Sequence, residues 1–346
     1  MKKIIIIFIF LFFICGCNNQ VEINNIAVIT GMIIDFKNDE YNVTIETIVS
    51  EDDKKIKIFK ESGSSIDEVL AKLSKTSNKE LFISHLKTLI ITKNIINNNI
   101  NFYDYFLRNP KSKLNFNIYL IDNDIDIFNE NESLSLYLDD LIDYNTKTFA
   151  SSENLSFIDY IYKLYEPGLD ILYPKLNYNN KNLLLNNLSF IVDDEEIILN
   201  DIDFISFNIL KNNINKTNFN IDCDNGILSL ALNSSKTKYN YHNNNLYIDV
   251  NIDSFINSNS CNINLSNNES LNNLINISKI QIKNNLINLI EISKKYNYDF
   301  LGIGNYIYKH NYDEYNKFDL NNLNIIVNVN LFISSIGETR KWVKTK

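Results

Sequence analysis

The stretch LNIIVNVNLFI, from Leu323 to Ile333, has the clearest folding pattern in the chain. Its apolar residues recur at every second position, at Leu323, Ile325, Val327, Val329, Leu331 and Ile333. An alternation of period two places those side chains on one face of a β-strand. The stretch therefore predicts a strand with one buried face near the C-terminal end of the chain.

A long helix is predicted upstream of this strand, from about Ser270 to Lys295. One side of it carries Leu271, Leu274, Ile275, Ile282, Leu286 and Leu289. The segment is rich in Asn, a poor helix former, so the helix must depend on tertiary packing. Further strands are predicted at Leu188–Val192, Ile227–Leu232 and Leu246–Ile252. Together these elements predict a C-terminal domain over residues 186–346.

The preceding residues, 17–185, predict an N-terminal domain of one or two subdomains, in which strands and short helices alternate. Strands are predicted at Ile26–Phe36, Tyr41–Val49, Leu86–Ile91 and Leu114–Ile121. Helices are predicted after Gly63, where Ser65 and Glu68 have the capping-box spacing, and then through Phe102–Phe106, Leu134–Ile142 and Leu155–Tyr165. The expected fold is an elongated, multi-domain α+β protein with mixed or antiparallel sheets flanked by helices.

The first residues have the layout of a bacterial lipoprotein signal peptide. Lys2 and Lys3 precede an apolar run, and Ile14-Cys15-Gly16 stands directly before Cys17. The run is too short for a helix that crosses a bilayer, which needs about 20 residues. We expect residues 1–16 to be removed and the Cys17 thiol to receive the lipid. The alternative is an ordinary secretory leader followed by a chance cysteine.

Composition excludes some partners. The net charge of −9 for 346 residues argues against nucleic acid as a partner. The basic C-terminal tail, Arg340 to Lys346, could contact anionic lipid or remain solvated. Beyond Cys17, only Cys223 and Cys261 remain; a disulfide is possible outside the cell, but two buried free thiols are preferred.

No residue constellation predicts catalysis or a cofactor. His85, His242 and His310 lie near no nucleophile motif, and Gly302-Ile303-Gly304 is better explained by a turn or a crowded backbone than by a nucleotide loop. The Asp122, Asp124, Asp126 series lacks the glycine and glutamate of a calcium loop. Asp193 to Glu196 is interpreted as a hairpin turn. The chain is expected to act by contact, without enzymatic activity, cofactor or metal.

Several segments, in order, resemble the spore germination lipoproteins that form the C subunits of nutrient germinant receptors. These are Val21–Val28, Gly63–Val69, Leu81–Lys87, Phe106–Pro110 and Asp299–Gly304. Asn109 departs from the usual Asp of the family's Arg-Asp-Pro element. The glycine usually found before the first C-terminal strand and a Trp after Gly-x-Gly are also missing.

The resemblance implies a lipid-anchored subunit on the outer face of the inner spore membrane. It implies A and B receptor subunits as partners, a response to small nutrients, and no catalytic residues. Gly63, His85, Arg108, Pro110, Gly302 and Gly304 are carried over as structural motif residues, with Arg108 pairing or capping at a helix end and Gly304 allowing a tight turn. Whether this subunit contacts the nutrient stays open. The alternative function is a substrate-binding lipoprotein of a transporter; a surface hydrolase is the weakest hypothesis.

Overall fold

The computed structural model describes residues 25–48, 55–122, 127–129, 132–148, 154–179, 182–223, 226–242, 244–261, 265 and 267–335. Its strands form a nine-stranded and a four-stranded sheet. The first sheet contains β1 (Ile26–Lys37), β2 (Glu40–Ile48), β3 (Ile56–Gly63), β4 (Glu80–Phe82), β5 (Thr88–Thr92), β6 (Asn117–Ile121), β7 (Tyr173–Asn179), β8 (Asn182–Val192) and β9 (Glu195–Leu199). The second contains β10 (Thr217–Cys223), β11 (Gly226–His242), β12 (Asn245–Asn259) and β13 (Asn324–Ser335).

Helices flank both sheets. They are α1 (Ile66–Ser77), α2 (Lys93–Asn97), α3 (Tyr103–Arg108), α4 (Leu134–Thr148), α5 (Phe157–Tyr165), α6 (Asp201–Lys211), α7 (Asn268–Lys295), α8 (Ile303–His310) and α9 (Tyr312–Tyr315). A short 3-10 helix, Ile83–His85, precedes β5. No helix in the described ranges is long and apolar enough to span a bilayer.

The first sheet is mixed. Its order is β3-β2-β1-β5-β6-β7-β8-β9, and β4 also pairs with β1. The central strands β1, β5, β6 and β7 run parallel, while the outer neighbours pair antiparallel. One face packs on apolar residues of α1, α3 and α5, and the other face packs on α4. Because helices cover both faces, the central strands are buried on both faces and show no apolar–polar alternation.

The second sheet has the order β10-β11-β12-β13, and its last two strands are parallel. A parallel pair needs a crossover connection, which α7 to α9 supply. Leu274, Ile282, Leu286 and Leu289 of α7 are buried in the core with β11, β12 and β13. The predicted alternation of β13 is confirmed, because Leu323, Val327 and Leu331 are buried while Asn328 and Asn330 hydrogen-bond to β12 on the outer face.

The expected class of fold, mixed sheets flanked by helices with a long helix and a final strand at the C-terminal end, is confirmed. The sequence did not predict β3, β4, β7, β10, α2, α6, α8 and α9. Of these, β10 does alternate, with Phe219 and Ile221 buried and Asn218 and Asn220 exposed. The first sheet also continues through β8 and β9, so the boundary predicted between residues 185 and 186 lies inside β8. That domain boundary stays a prediction.

The preference for two free thiols is wrong. Cys223 and Cys261 form a disulfide, with 5.8 Å between their Cα atoms, because the end of β10 lies beside the segment that leaves β12. Spacing in sequence could not reveal this approach, since the two cysteines are 38 residues apart. Cys17, the leader 1–16, Asp124, Asp126 and the basic tail lie outside the described residues.

Candidate functional site

The motif residues fall into three places rather than one site. Gly63, Arg108 and Pro110 lie in or beside a surface cavity between α1 and α3. His85 lies at the edge of the first sheet where its parallel strands begin. Gly302 and Gly304 lie where α8 meets the segment before β7.

The cavity between α1 and α3 has a volume of about 510 Å³. Its walls combine aromatic side chains with charged ones of both signs: Tyr41, Phe102, Tyr105, Asp67, Asp104 and Arg108. The Arg108 side chain is 79% exposed, and its Nε donates to both carboxylate oxygens of Asp104 at 2.8 Å. An exposed pair of this kind contributes little to stability, which leaves Arg108 available for external contacts.

Asn109 stands where the family usually has Asp, and both the oxygen and the nitrogen of its side-chain amide form hydrogen bonds. Its Oδ1 accepts from Lys111 N at 2.9 Å, as an Asp could. Its Nδ2 donates to the Tyr105 hydroxyl at 2.7 Å, which a carboxylate could not do. Asn109 therefore closes the turn that places Pro110 on the cavity rim.

Gly63 packs against the start of α1. A Cβ there would lie 3.1 Å from both Glu68 and Val69. Ser65 caps α1 by accepting from Glu68 N, as predicted, but the reciprocal bond of the capping box differs. Glu68 accepts from the backbone and side chain of Ser64, at 2.9 and 2.6 Å. Hydrogen bonds with Lys72 and with Ser64 lower the pKa of Glu68 to about 2.

The Gly302–Gly304 element is a close contact between distant parts of the chain. Gly302 has φ of 69° and directly precedes α8. A Cβ on Gly168, itself at φ 67°, would lie 2.6 Å from the carbonyl carbon of Gly304. Asn305 N donates to Gly168 O at 2.8 Å, so the two backbones touch. The expectation of a crowded backbone here matches this geometry, and no strand precedes the element.

Asp299 organises this contact and was missed as a key residue. Its Oδ1 accepts from Ile303 N at 3.0 Å and its Oδ2 from Gly304 N at 2.6 Å, so it caps α8. Asp170 Oδ2 in turn accepts from Asp299 N at 2.5 Å. Burial raises the pKa of Asp299 to about 6, and the charge of Asp170 adds to the rise. Burial also raises the pKa of Asp170.

Further bonds tie the segment before β7 to the helices that follow α7. Asn305 Nδ2 donates to Glu166 Oε1 and Pro167 O, both at 2.9 Å. Lys309 pairs with Glu166 at 3.0 Å, and Tyr298 donates to Ile171 O at 2.7 Å. The Asp-x-x-Gly-x-Gly element is therefore one place where the second half of the chain is hydrogen-bonded to the first.

A second polar cluster contradicts the interpretation of Glu196 as an exposed turn residue. The turn is made by Asp193 and Asp194, both with positive φ, while Glu196 is only 5% exposed in β9. It pairs with Lys175 at 2.8 Å and with Lys93, and both lysines also pair with Asp122. Burial opposes the charged form of Lys93, but Asp122 and Glu196 raise its pKa overall. These charges hold β6, β7, α2 and β9 together.

His85 is exposed, at the end of the 3-10 helix, with its ring centroid 5.6 Å from that of Phe82. Among the described residues, no three His, Cys, Asp or Glu side chains are grouped to hold a metal ion. The carboxylates of Asp299 and Glu196 are occupied by backbone N–H groups and lysines. The described polar clusters thus connect elements of the fold.

Comparisons with known families agree with this architecture. Residues 19–178 match the spore germination protein N-terminal domain, and residues 193–337 match the spore germination B3/GerAC-like C-terminal domain. The chain belongs to the germinant receptor C-subunit family. The crystal structure of the GerBC protein is similar in fold, with a TM-score of 0.56 at 13% identity, over 89% of this chain and 97% of that one. No curated protein matches.

Membership in the germinant receptor C-subunit family makes this chain a component of a spore germination receptor. The resemblance found from the order of short segments is thereby confirmed. The departure at Asn109 leaves the fold intact, since the matched N-terminal domain extends across it.

Proposed function

We propose that the protein is a lipid-anchored, non-enzymatic subunit of a nutrient germinant receptor, on the outer face of the inner spore membrane. The observation that carries this proposal is the position of Cys17, which stands two residues before the first residue of the matched family domain. A lipid on Cys17 would hold the whole mature chain at the membrane. Partners would be the A and B subunits, and the contacts would help to trigger germination.

Anchoring supports assembly by a concentration effect. A chain confined to a thin layer meets membrane partners at a much higher effective concentration than a free one. One acyl chain gives marginal attachment, so durable anchoring needs two or more. The engagement of the described carboxylates in structural bonds supports a role without catalysis.

The test is Cys17→Ala in the sporulating organism, with Cys15→Ala as the matched control because Cys15 lies within the leader. We expect Cys17→Ala to lose incorporation of labelled fatty acid, to leave the membrane fraction, and to slow germination with at least one nutrient. Cys15→Ala should behave as the parent. Full membrane retention of an unlabelled Cys17→Ala protein would refute the anchor.

The cavity of about 510 Å³ supports a second candidate, a substrate-binding lipoprotein. Its aromatic walls beside Arg108, Asp67 and Asp104 provide apolar contacts and both charges. Calorimetry of residues 18–346 with amino acids and sugars separates the two functions. Tight binding that Arg108→Gln abolishes would favour the second, and the absence of binding favours a receptor subunit that acts through protein contacts.

A further inference from the structure

The chain enters the fold at one defined edge. Ile26 begins β1 and pairs with Glu80, and β5 and β6 begin on the same side. We call this side of the first sheet the amino edge. Eight residues, 18–25, separate Cys17 from Ile26. Even fully extended they reach only about 29 Å, so a lipid on Cys17 would keep the amino edge close to the membrane.

Four lysines lie together at the amino edge: Lys75, Lys79, Lys111 and Lys113. Lys75 is in the last turn of α1, and Ser74 Oγ donates to Lys79 O at 2.7 Å. Lys79 is followed by Glu80, whose carboxylate pairs with Lys111 at 2.9 Å. Ser84 Oγ donates to Lys111 O, which fixes the backbone leading to Lys113.

The four lysines form a basic group on an acidic chain. Glu80 is the acid that these contacts place among the four lysines, whereas the net charge of the chain is −9. In the described part of the chain, no acidic side chain pairs with Lys75 or Lys113, and both are exposed. A local excess of positive charge on an acidic protein indicates an anionic partner.

The opposite edge of the sheet has lysines that are already neutralised. Lys37 pairs with Asp35 at 3.0 Å, Lys93 with Asp122 at 2.8 Å, and Lys175 with Glu196 at 2.8 Å. Each of these three lysines pairs with an almost fully buried carboxylate, Asp35 or Glu196, which holds it in place. The Lys111–Glu80 pair is exposed on both sides, and such a pair is weak, so Lys111 can still attract an external anion. The two edges therefore differ in available charge and not simply in the number of lysines.

We propose that the amino edge rests on the anionic headgroups of the membrane to which the chain is anchored, through Lys75, Lys111 and Lys113. The inference depends on the proposed anchor at Cys17 for delivery to that membrane. Lysines near an anionic surface each add a modest attraction that salt screens. Their combined effect would orient the domain, with the second sheet held away from the lipid.

The experiment uses the mature chain from Cys17 to Lys346 carrying Cys17→Ser, so that no acyl chain contributes. Binding is measured by co-sedimentation with vesicles of phosphatidylcholine alone, and of phosphatidylcholine mixed with phosphatidylglycerol. The edge variant is Lys75→Gln, Lys111→Gln and Lys113→Gln. The control variant removes three exposed lysines of the second half, Lys236, Lys238 and Lys283, by the same substitution.

We expect binding only to the anionic vesicles, with loss at high salt. The edge variant should bind at least about tenfold more weakly, while the control variant binds as the parent does. All three proteins keep the basic C-terminal tail, so its contribution cancels. Equal weakening in both variants, or binding independent of phosphatidylglycerol, would overturn the proposal. Since no lipid is attached in this experiment, its failure would leave the test of Cys17 untouched.

Discussion

Glu46 and Asp299 are buried carboxylates, and each accepts from one or more backbone N–H groups at the start of a different helix. The groups around the two carboxylates differ. Glu46 in β2 is fully buried; its Oε2 accepts from Leu134 N at 2.8 Å, and its Oε1 accepts from the hydroxyls of Thr30 and Ser133 at 2.7 Å. Asp299 accepts from two backbone N–H groups of α8 and lies beside the carboxylate of Asp170.

The same interaction, a buried carboxylate that accepts from backbone N–H at the start of a helix, has a different role at each site. Glu46 connects α4 to the first sheet by accepting from Leu134 N, 88 residues away, and from the Ser133 hydroxyl, which can rotate. Asp299 caps the helix that follows it at once, but its site also carries the contact between the two halves of the chain. A second acid next to a buried acid makes that contact sensitive to protonation. Three tests, in decreasing order of expected effect, probe this difference, and a fourth concerns the exposed Arg108.

We expect the substitution of a nearby glycine by alanine to lower the unfolding free energy more at the Asp299 site than at the Glu46 site. In Gly168→Ala, the new Cβ meets the Gly304 backbone and φ is positive, so we expect a loss of roughly 2–5 kcal/mol of unfolding free energy. In Gly31→Ala, the Cβ meets the side chains of Ser135 and Phe128, which can shift, for about 1–3 kcal/mol. Urea unfolding measures both; equal losses would contradict the comparison.

Stability at the Asp299 site should depend on pH. The folded pKa of about 6 exceeds the ordinary Asp pKa of 3.8, so the folded protein binds the proton more tightly than the unfolded chain does. That contribution is fully present below about pH 3.8 and is lost as pH rises through about 6. It amounts to about 3 kcal/mol. The destabilisation caused by Asp299→Asn, measured from pH 4 to 7, should therefore be largest at the acidic end. A pH-independent difference would refute this.

Removal of one acceptor at the Glu46 site should have a smaller effect. In Glu46→Gln, the amide nitrogen cannot accept from Leu134 N, which costs about 1–2 kcal/mol, while the hydroxyls can reorient. Hydrogen exchange of amides at the start of α4 should accelerate. Glu68→Gln, an exposed cap of α1, is the control and should leave α4 exchange unchanged.

The smallest effect is expected at Arg108. Its exposed pair with Asp104 predicts a change below about 0.5 kcal/mol for Arg108→Ala. If unfolding free energy falls by more than that, the side chain contributes to the fold beyond the Asp104 pair. A germination defect in a fully stable Arg108→Ala protein would place its role at a contact surface.

Part of the site was accessible from sequence because its signals are local. Ser65 as an N-cap follows from neighbours within a few positions, and the glycines at 302 and 304 indicate a crowded backbone, although the contacting Gly168 lies far away in sequence. Asp299 was visible as the first residue of the Asp-x-x-Gly-x-Gly element. Its partner Asp170 lies 129 residues away, and no sequence motif connects the two residues. Glu196 was interpreted as a turn residue because nothing near it in sequence indicates Lys93 or Lys175.

The sequence by itself determined the strand at the C-terminal end, the long helix and the family. These follow from periodicity and short motifs, which depend on residues a few positions apart. Only the tertiary structure decided the joining of β8 and β9 to the first sheet, the disulfide, the buried lysine–glutamate cluster and the pairing of Asp170 with Asp299. Each of these requires two segments far apart in the chain to meet, and the free energy of that meeting comes from the packed cores of the whole fold rather than from either segment alone.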